Sequence, residues 1–358
     1  MSFSIGIVGL PNVGKSTTFN ALLKRKQAEA SNFPFCTIEP NVGQVAVPDE
    51  RLQKLSEISK SKKTVPTTIE FIDIAGIVSG AHKGEGLGNK FLSHIREVDA
   101  IVEVVRDFQN PDITHVAGKV SPKDDIETIN LELIMADLET VAKRFDKTSK
   151  DAKSGDKKLT QEKIILEKIK NHLEQEKPVR DLQFSAEENI FVKQLNLLTI
   201  KPLLYVMNVD DKTPSNSTAS DGVKLLDQIA INAQLEAEIA ELPEAEQTEY
   251  KKALGISETG LDKLIKESYK LLNLITYFTS GEPETRAWTV RQGALAPEAA
   301  GVIHTDFIKG FIRAEVINWQ DFINAGGWSK AKEKGLVRTE GKTYEVQDGD
   351  TCYFLINK

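Results

Sequence analysis

The sequence contains only two cysteines, Cys36 and Cys352, which stand near opposite ends of a chain of 358 residues. This scarcity excludes a disulfide framework and a clustered cysteine metal site, and it favours a reducing compartment. No apolar run approaches the ~20 residues needed to cross a bilayer. The N-terminus lacks the basic region and the cleavage site of a signal peptide. We therefore predict a cytoplasmic protein with no membrane partner.

The chain also lacks an excess of positive charge, because its net charge is -7 and its pI is about 5.5. Coating of nucleic acid by bulk electrostatics is therefore excluded, and an RNA partner would have to meet a local basic patch. The composition, with 40% hydrophobic and 28% charged residues, is that of a globular protein with a real core. Single cores stop growing at about 250 to 300 residues, so we expect two or three domains.

Short β-branched runs alternate with helical patterns in the first and third parts of the chain. The runs cover residues 3–8, 67–72, 100–105 and 202–207. Each is apolar enough to be buried on both faces of a sheet. This alternation predicts an α/β domain with a mostly parallel sheet, formed by residues 1–123 and 199–276.

The intervening residues 124–198 have the spacing of paired helices. Apolar residues recur every three or four positions at Leu131, Ile134, Leu138, Val141 and Phe145, and again at Leu159, Leu166, Ile169 and Leu173. A polar, glycine-containing stretch at 146–158 predicts a turn between the two helices. We expect an antiparallel coiled-coil hairpin that projects as an arm. Its role is open between a structural arm and a partner-binding arm.

Residues 277–358 read as a small, mostly β domain, because short strand patterns are separated by Gly, Pro and Asp turns. Three basic residues in it, Arg286, Lys309 and Arg313, are candidates for an RNA-facing patch. The alternative is that they are solvated surface charges.

The stretch "GLPNVGKST", Gly9 to Thr17, fits G-x-x-x-x-G-K-[ST] between a strand and a helical pattern. Its backbone N–H groups can cradle phosphates, Lys15 can reach the β and γ oxygens, and Ser16 can ligate Mg²⁺. Lys15 is also a candidate catalytic residue. The predicted nucleotide contacts are Asn12, Val13, Gly14, Lys15, Ser16 and Thr17. The alternative is a glycine-rich turn without a ligand.

Three further residues follow in the order that a P-loop nucleoside triphosphatase requires. Thr37 is placed to sense the γ-phosphate and to complete the Mg²⁺ site, Asp73 to support that site, and Gly76 to donate from its backbone to the γ-phosphate. Ile77 occupies the position where Ras-like GTPases carry the glutamine that orients water. Either another group orients the water, or hydrolysis is slow without a partner. The candidate groups are His115 and His82. For both histidines a structural role is the alternative.

K⁺ is a second candidate cofactor, because the side chain of Asn12 could help to hold a monovalent cation beside the phosphates. The alternative is a loop residue that makes local hydrogen bonds.

These motifs resemble those of the Obg-like ATPases of the YchF type along essentially the whole chain. The strings that carry the resemblance are "GLPNVGKST", "NFPFCTIEPN", "DIAGIV", "GEGLGNKFL", "RAWT" and "IHTDF". The resemblance implies a P-loop domain interrupted by a coiled-coil arm and followed by a TGS domain of β-grasp, ubiquitin-like shape. It also implies ATP hydrolysis in preference to GTP, association with ribosomes, and a flexible-loop histidine, His115, in place of the missing glutamine.

The base-reading segment "LLYVMNVDDK" has Asn208 and Val209, where a guanine site has N-K-x-D. The resemblance implies that the asparagine serves adenine and that the aliphatic residue packs on the ring. Asp211, however, supplies the carboxylate that a guanine site would use, where the family usually has glutamate. Ala233 and Gln234 are the candidates for the last base contact, through their backbone. We expect ATP as substrate and leave GTP open.

The sequence thus predicts a Mg²⁺-dependent, ribosome-associated P-loop ATPase that acts as a translation-related switch. Two alternatives stay open: a GTP-hydrolysing or dual-specificity switch, and a nucleotide-gated module that binds RNA or ribosomes and whose turnover is incidental.

Overall fold

The computed structural model of the chain describes residues 3–29, 41–74, 88–210 and 228–357. Within these ranges the strands form two six-stranded sheets. The first belongs to a P-loop α/β domain, a helical arm extends from it, and the second sheet forms the C-terminal domain.

The first sheet has the order β2-β4-β1-β5-β6-β7, in which β2 is antiparallel to β4 and the other neighbours are parallel. Its strands are Ser4–Val8 (β1), Val42–Ala46 (β2), Thr68–Asp73 (β4), Ala100–Arg106 (β5), Leu203–Asn208 (β6) and Gln228–Ile231 (β7). The four strands predicted from apolar runs are confirmed with ends shifted by at most one residue. All seven residues of β5 are buried, as expected for a central parallel strand.

Helices cover both faces of this sheet, and a buried apolar cluster lies on each face. They are Lys15–Glu29 (α1), Asn89–Glu97 (α3), Ala233–Glu241 (α7), Glu244–Ala253 (α8) and Gly260–Leu271 (α9). Because parallel strands end at one edge of the sheet, the residues that follow β1, β4, β5 and β6 meet there. That edge carries the candidate site.

The arm consists of Pro122–Asp151 (α4) and Lys157–Leu173 (α5), which pack against each other as a hairpin. The helix α4 begins with Pro122 in its first turn and acidic residues behind it, both favourable at a helix start. The predicted turn at 146–158 is wrong in extent, since α4 continues to Asp151 and the reversal occurs at a short 3₁₀ turn and Gly155, whose φ is 81°. The polar residues before it are the exposed face of a helix.

Leu131, predicted to lie in the helix seam, is instead 42% exposed. The reason is length: α4 has 30 residues and α5 only 17, so α5 ends before it reaches the level of Leu131. A third helix that the sequence pattern did not predict, Ala186–Gln194 (α6), packs into the arm core through Phe191 and Val192.

The carboxylate of Asp137 ties the arm to the α/β domain. It is buried on α4 and accepts hydrogen bonds from the backbone N–H groups of Leu198 and Thr199, at 2.8 and 2.7 Å, and from the Thr199 hydroxyl at 2.7 Å. These residues lead into β6. The root of the arm is therefore fixed to the strand that ends at Asn208.

The second sheet has the order β11-β10-β12-β8-β9-β3. Its strands are Thr64–Val65 (β3), Leu274–Ser280 (β8), Thr285–Arg291 (β9), Phe311–Asn318 (β10), Arg338–Glu340 (β11) and Asp350–Ile356 (β12). The helices packed on it are Ala296–Ile303 (α10), Asp306–Gly310 (α11), Trp319–Ala325 (α12) and Trp328–Glu333 (α13). The prediction of a small, mostly β domain in this part of the chain is confirmed in its strands.

One segment from the first half of the chain belongs to this second sheet. The strand β3 pairs in parallel with β9, and the helix Glu50–Ser59 (α2) before it buries Leu52 and Leu55 against Phe278 and Phe322 of the C-terminal domain. This segment connects β2 to β4, the strand that ends at Asp73. The C-terminal domain is therefore built around a part of the nucleotide-binding half.

Candidate functional site

The P-loop follows β1 and has the backbone that phosphate binding requires. Gly9, Asn12 and Gly14 have positive φ angles of 141°, 62° and 103°. A Cβ at Gly14 would lie 2.2 Å from Nδ2 of Asn208, and one at Gly9 would lie 2.3 Å from the carbonyl oxygen of Val104. Glycine is thus required at both positions by conformation and by space.

Lys15 begins α1 and is 8% exposed. Its Nζ donates to the carbonyl oxygen of Leu10 at 2.5 Å, inside the loop. Burial lowers the pKa of Lys15 from 10.5 to about 8, and the nearby charge of Asp73 opposes the shift. A polyphosphate in the loop would supply the negative charge that this buried ammonium lacks.

Ser16 and Asp73 bring the two ends of a magnesium site together. Ser16 is an exposed residue, and its hydroxyl lies 3.3 Å from Oδ2 of Asp73, which is buried at the end of β4. One hydroxyl with one carboxylate behind it fits Mg²⁺, which binds through few protein groups and completes its shell with phosphate oxygens and water. Within the described ranges, no group of three or more His, Cys, Asp or Glu residues could hold a metal by itself.

Asn208, at the end of β6, connects two walls of the site. Its Nδ2 donates to the carbonyl oxygen of Val13 at 2.9 Å, and its Oδ1 accepts from the backbone N–H of Ala233 at 3.1 Å. Asn208 is 5% exposed, and Val13 and Ala233 are buried as well. The buried amide therefore braces the P-loop against the start of α7.

The other predicted base-contacting residues surround this brace. Val209 is partly buried against the small cluster of Val105, Ile126 and Met207. The N–H of Ala233 is engaged by Asn208, and the Gln234 side chain is exposed and donates to Glu238 at 3.2 Å. Thr17 is exposed at the start of α1. The base contacts of Val209, Ala233 and Gln234 and the nucleotide contact of Thr17 stay predictions.

The backbone at His115 lies beside the P-loop in space, but the His115 ring is turned into the protein. Its Nε2 lies 3.0 Å from Oδ2 of Asp125 in α4, and its Nδ1 accepts from the backbone N–H of Ala117 at 3.2 Å. Both side chains of the His115–Asp125 pair are only 5% exposed. Since both ring nitrogens are engaged, the described arrangement leaves none for a water molecule at a γ-phosphate.

The loop that leads to His115 is fixed from two sides. Arg106, at the end of β5, is 1% exposed, and its guanidinium donates to the carbonyl oxygens of Phe108, Asn110 and Ile113 at 3.0 to 3.2 Å. From the P-loop, Nδ2 of Asn12 donates to the carbonyl oxygen of Thr114 at 3.1 Å. The amide of Asn12 thus contacts the histidine loop.

A buried polar group below this loop was not predicted from the sequence. Glu103 on β5 is 1% exposed, and burial raises its pKa well above the ordinary value, against the charge of Arg180 and with that of Asp125. Arg180 donates to Oδ1 of Asn130 at 2.9 Å, and Asn130 donates to the Tyr205 hydroxyl at 3.0 Å. The available signal was a charged residue inside the apolar strand "AIVEVVR", which also contains Arg106.

Several predicted site residues lie outside the described ranges: Thr37, Gly76, Ile77, His82 and Asp211. Their predicted roles are neither supported nor opposed by the geometry above.

The basic residues of the C-terminal domain do not form one patch. Arg286 lies two positions from Trp288, and Arg313 one position from Ala314, while Trp288 and Ala314 pack in the same cluster on one face of the sheet. Because side chains alternate along a strand, Arg286 and Arg313 point to opposite faces. Only Lys309 and Arg313 are close in sequence and both exposed. Arg286 thus lies on a different face of the sheet from Arg313, and the RNA-facing role of the three residues stays a prediction.

Comparison with known proteins gives matches to both ends of the chain. A family model described as a 50S ribosome-binding GTPase matches residues 4–146. A model for the C-terminal domain of YchF GTPases, described as a protein of unknown function, matches residues 274–357.

Full-length relatives and a solved structure agree with these matches. The chain is 56% identical over 366 residues to the ribosome-binding ATPase YchF of Bacillus subtilis, and 53% identical over 363 residues to that of Escherichia coli O157:H7, with complete coverage of both partners in each case. The structure of the Schizosaccharomyces pombe YchF GTPase superposes with a TM-score of 0.89 at 38% identity, covering 99% of this chain and 98% of that one. Of the helices in the described part of the chain, none combines the length and apolar character of a membrane-spanning helix.

Proposed function

The chain belongs to the YchF family, and from this premise we propose that it is a ribosome-associated P-loop ATPase that cleaves the β–γ bond of ATP. The observation that carries the proposal is the contact between Ser16 and Asp73, which joins the P-loop to the end of β4 where a Mg²⁺–phosphate complex would lie. Ribosome binding follows from the names of the bacterial relatives. We place the protein in the cytoplasm, together with its proposed ribosome partner.

At the phosphate end, the backbone of residues 12–17 and the start of α1 bind the polyphosphate. Lys15 leaves its contact with Leu10 and neutralises the β and γ oxygens. Ser16 would ligate Mg²⁺, and Asp73 would orient that hydroxyl and water around the metal. When bound, Mg²⁺ neutralises charge that develops on the phosphate oxygens. Thr37 and Gly76 complete the γ-phosphate contacts in this proposal.

At the base end, the pocket favours adenine because an aliphatic residue, Val209, follows Asn208 where a guanine site has lysine. Asn208 holds the walls of the pocket, and Val209 packs along the purine ring. The backbone at Ala233 and Gln234 forms the far wall. The preference rests on Val209 and not on a missing acceptor, because Asp211 supplies a carboxylate that guanine could use.

His115 is the residue that we assign to the attacking water in place of the missing glutamine. Its loop is held against the P-loop through the contact between Asn12 and Thr114. Because Nδ2 of Asn12 makes that contact, its Oδ1 is the atom that would ligate K⁺. The K⁺ requirement is tested by comparing turnover in K⁺ and in Na⁺ at equal ionic strength.

The test of the function is hydrolysis of ATP and of GTP, each with and without purified ribosomes. We expect slow ATP turnover alone, a rise on addition of ribosomes, and loss of turnover in Ser16→Ala and His115→Ala. Both variants should be compared with wild type for nucleotide binding by titration with a fluorescent ATP analogue. Intact hydrolysis in His115→Ala would remove its role. An ATP turnover rate that does not change when ribosomes are added would favour the alternative of a nucleotide-gated binding module.

A second candidate, hydrolysis of GTP, is favoured by Asp211 in the sequence, which restores a carboxylate that guanine could use. Binding of labelled ATP and GTP should be measured side by side for wild type and Asp211→Glu. If Asp211 confers GTP tolerance, the GTP affinity falls in the variant while the ATP affinity stays the same.

A further inference from the structure

The His115 ring occupies a defined docking site. Because Nδ1 accepts from the N–H of Ala117, the ring proton of the neutral imidazole is on Nε2, which donates to Asp125. The pair is nearly inaccessible to solvent. A carboxylate that accepts from a buried ring N–H makes a charge-assisted hydrogen bond, which is stronger than one between neutral groups.

The backbone around this ring is already beside the P-loop. The preceding residue, Thr114, accepts from Asn12, and the rest of the loop is held by Arg106. The loop is therefore placed for a role at the phosphates, whereas the ring is held away from solvent. The hydrogen bond to Asp125 is the contact that holds the ring away from solvent while its loop lies beside the P-loop.

We propose that Asp125 is a positioning residue that docks His115 in an inactive orientation, and that release of this contact precedes hydrolysis. This inference rests on the proposed role of His115. In the docked state the ring cannot accept a proton from water at Nδ1 or orient water through Nε2–H, because both atoms are engaged. Turnover of the free protein is then limited by the fraction of molecules in which the ring is released.

The position of Asp125 connects the docked state to the arm. Asp125 is in the first turn of α4, and the same helix continues without interruption to Asp151 at the arm tip. At 1.5 Å per residue, the tip lies about 39 Å from Asp125. A partner that tilts this helix about its anchor at Asp137 moves Asp125 relative to β5 and to the loop, and so releases the ring. In this proposal, the contact between Asp125 and His115 at the root of the arm controls hydrolysis.

The first test measures access to the ring with diethyl pyrocarbonate, which modifies exposed histidines. Labelling of His115 is quantified by mass spectrometry in the full-length protein, with the exposed His304 as internal reference. We expect slow labelling of His115 in wild type and labelling about tenfold or more faster in Asp125→Ala, the shift that loss of a charge-assisted hydrogen bond gives. Asp125→Asn, whose amide oxygen still accepts from Nε2–H, should be intermediate.

The second test measures single-turnover ATP hydrolysis of the same proteins without ribosomes. Hydrolysis should be faster in Asp125→Ala than in wild type, with Asp125→Asn between them. The matched control is Asp124→Ala, which removes an exposed carboxylate from the same helical turn without touching His115. It should behave as wild type in both tests. A merely structural role of Asp125 would lower turnover or leave it unchanged.

Two results would overturn the inference. Labelling of His115 at the wild-type rate in Asp125→Ala would show that the carboxylate does not hold the ring. Faster labelling without faster hydrolysis would show that docking does not limit turnover. His115→Ala, measured in parallel, separates this failure from that of the proposed function, because the labelling result does not depend on whether His115 acts in catalysis.

Discussion

Replacing Asn208 with alanine should destabilise the protein by about 2 to 6 kcal/mol. The substitution leaves the carbonyl oxygen of Val13 and the N–H of Ala233 without their partner, and both residues are at most 2% exposed. Each buried polar group left unsatisfied costs about 1 to 3 kcal/mol. The sum is a large share of the roughly 5 to 15 kcal/mol that stabilises an ordinary domain.

The same substitution should weaken ATP binding by about tenfold or more, because the Val13–Gly14 peptide is no longer held in place and about 1.4 kcal/mol suffices for that factor. Stability would be measured by urea denaturation followed by circular dichroism, and affinity by titration with a fluorescent ATP analogue. Both quantities should fall together, since one side chain supports the loop and the pocket wall.

The control for this experiment is Asn232→Ala. Asn232 caps α7 by accepting from the N–H of Leu235 at 3.0 Å, and loss of such a cap costs about 1 kcal/mol. This cap bond lies within α7 and does not involve the P-loop, so ATP affinity should stay near wild type. If Asn208→Ala loses no more stability than Asn232→Ala, the bracing role of Asn208 is refuted.

Three further predictions concern other parts of the molecule. Gly14→Ala should weaken ATP binding by roughly 30-fold or more, because the new Cβ would meet Nδ2 of Asn208 at 2.2 Å on a backbone with φ of 103°; affinity within threefold of wild type would contradict this. Leu55→Ala should cost about 2 to 5 kcal/mol and lower the urea midpoint seen by tryptophan fluorescence, since Leu55 packs against Phe278 and all three tryptophans are in the C-terminal domain. An unchanged midpoint would exclude a shared core. Burial raises the pKa of the Cys352 thiol well above its ordinary value, so iodoacetamide at pH 8 to 9 should leave Cys352 unmodified until urea unfolds the chain, as judged by peptide mass spectrometry. Because the thiol ionises more readily after unfolding, its ionisation lowers the stability of the folded protein as pH rises above about 8.5. Labelling of Cys352 in the folded protein that increases between pH 8 and 9 would show that the thiol is not buried with a raised pKa.

Local patterns were sufficient to predict four of the six strands of the first sheet and the phosphate loop. The buried strands are mostly apolar, and the P-loop is one continuous motif between a strand and a helix. The two long helices of the arm followed from spacing alone. Spacing could not show where α5 ends relative to α4, and so it placed Leu131 in a seam that does not reach it.

The remaining features depend on contacts between distant residues. Asn208 was predicted as a base contact, but its bond to Val13 spans 195 positions and follows only from the sheet order. His115 was predicted from its motif, whereas its docking on Asp125 requires the start of α4 to fold over β5. Thr64–Val65 is too short to be recognised as a strand from its own sequence. Only its pairing with β9 identifies it.

The exchange of α2 and β3 into the second sheet also sets an order for folding during synthesis. The hydroxyls of Thr67 and Thr289, which form a hydrogen bond, are 222 positions apart. At 5 to 20 residues per second, a ribosome needs about 10 to 40 s to make the intervening chain. During that interval Leu52 and Leu55 are not yet buried by the C-terminal domain. The nascent chain therefore exposes the apolar face of α2 until that domain has emerged from the ribosome. Fragments that end before Leu274 should therefore aggregate on expression.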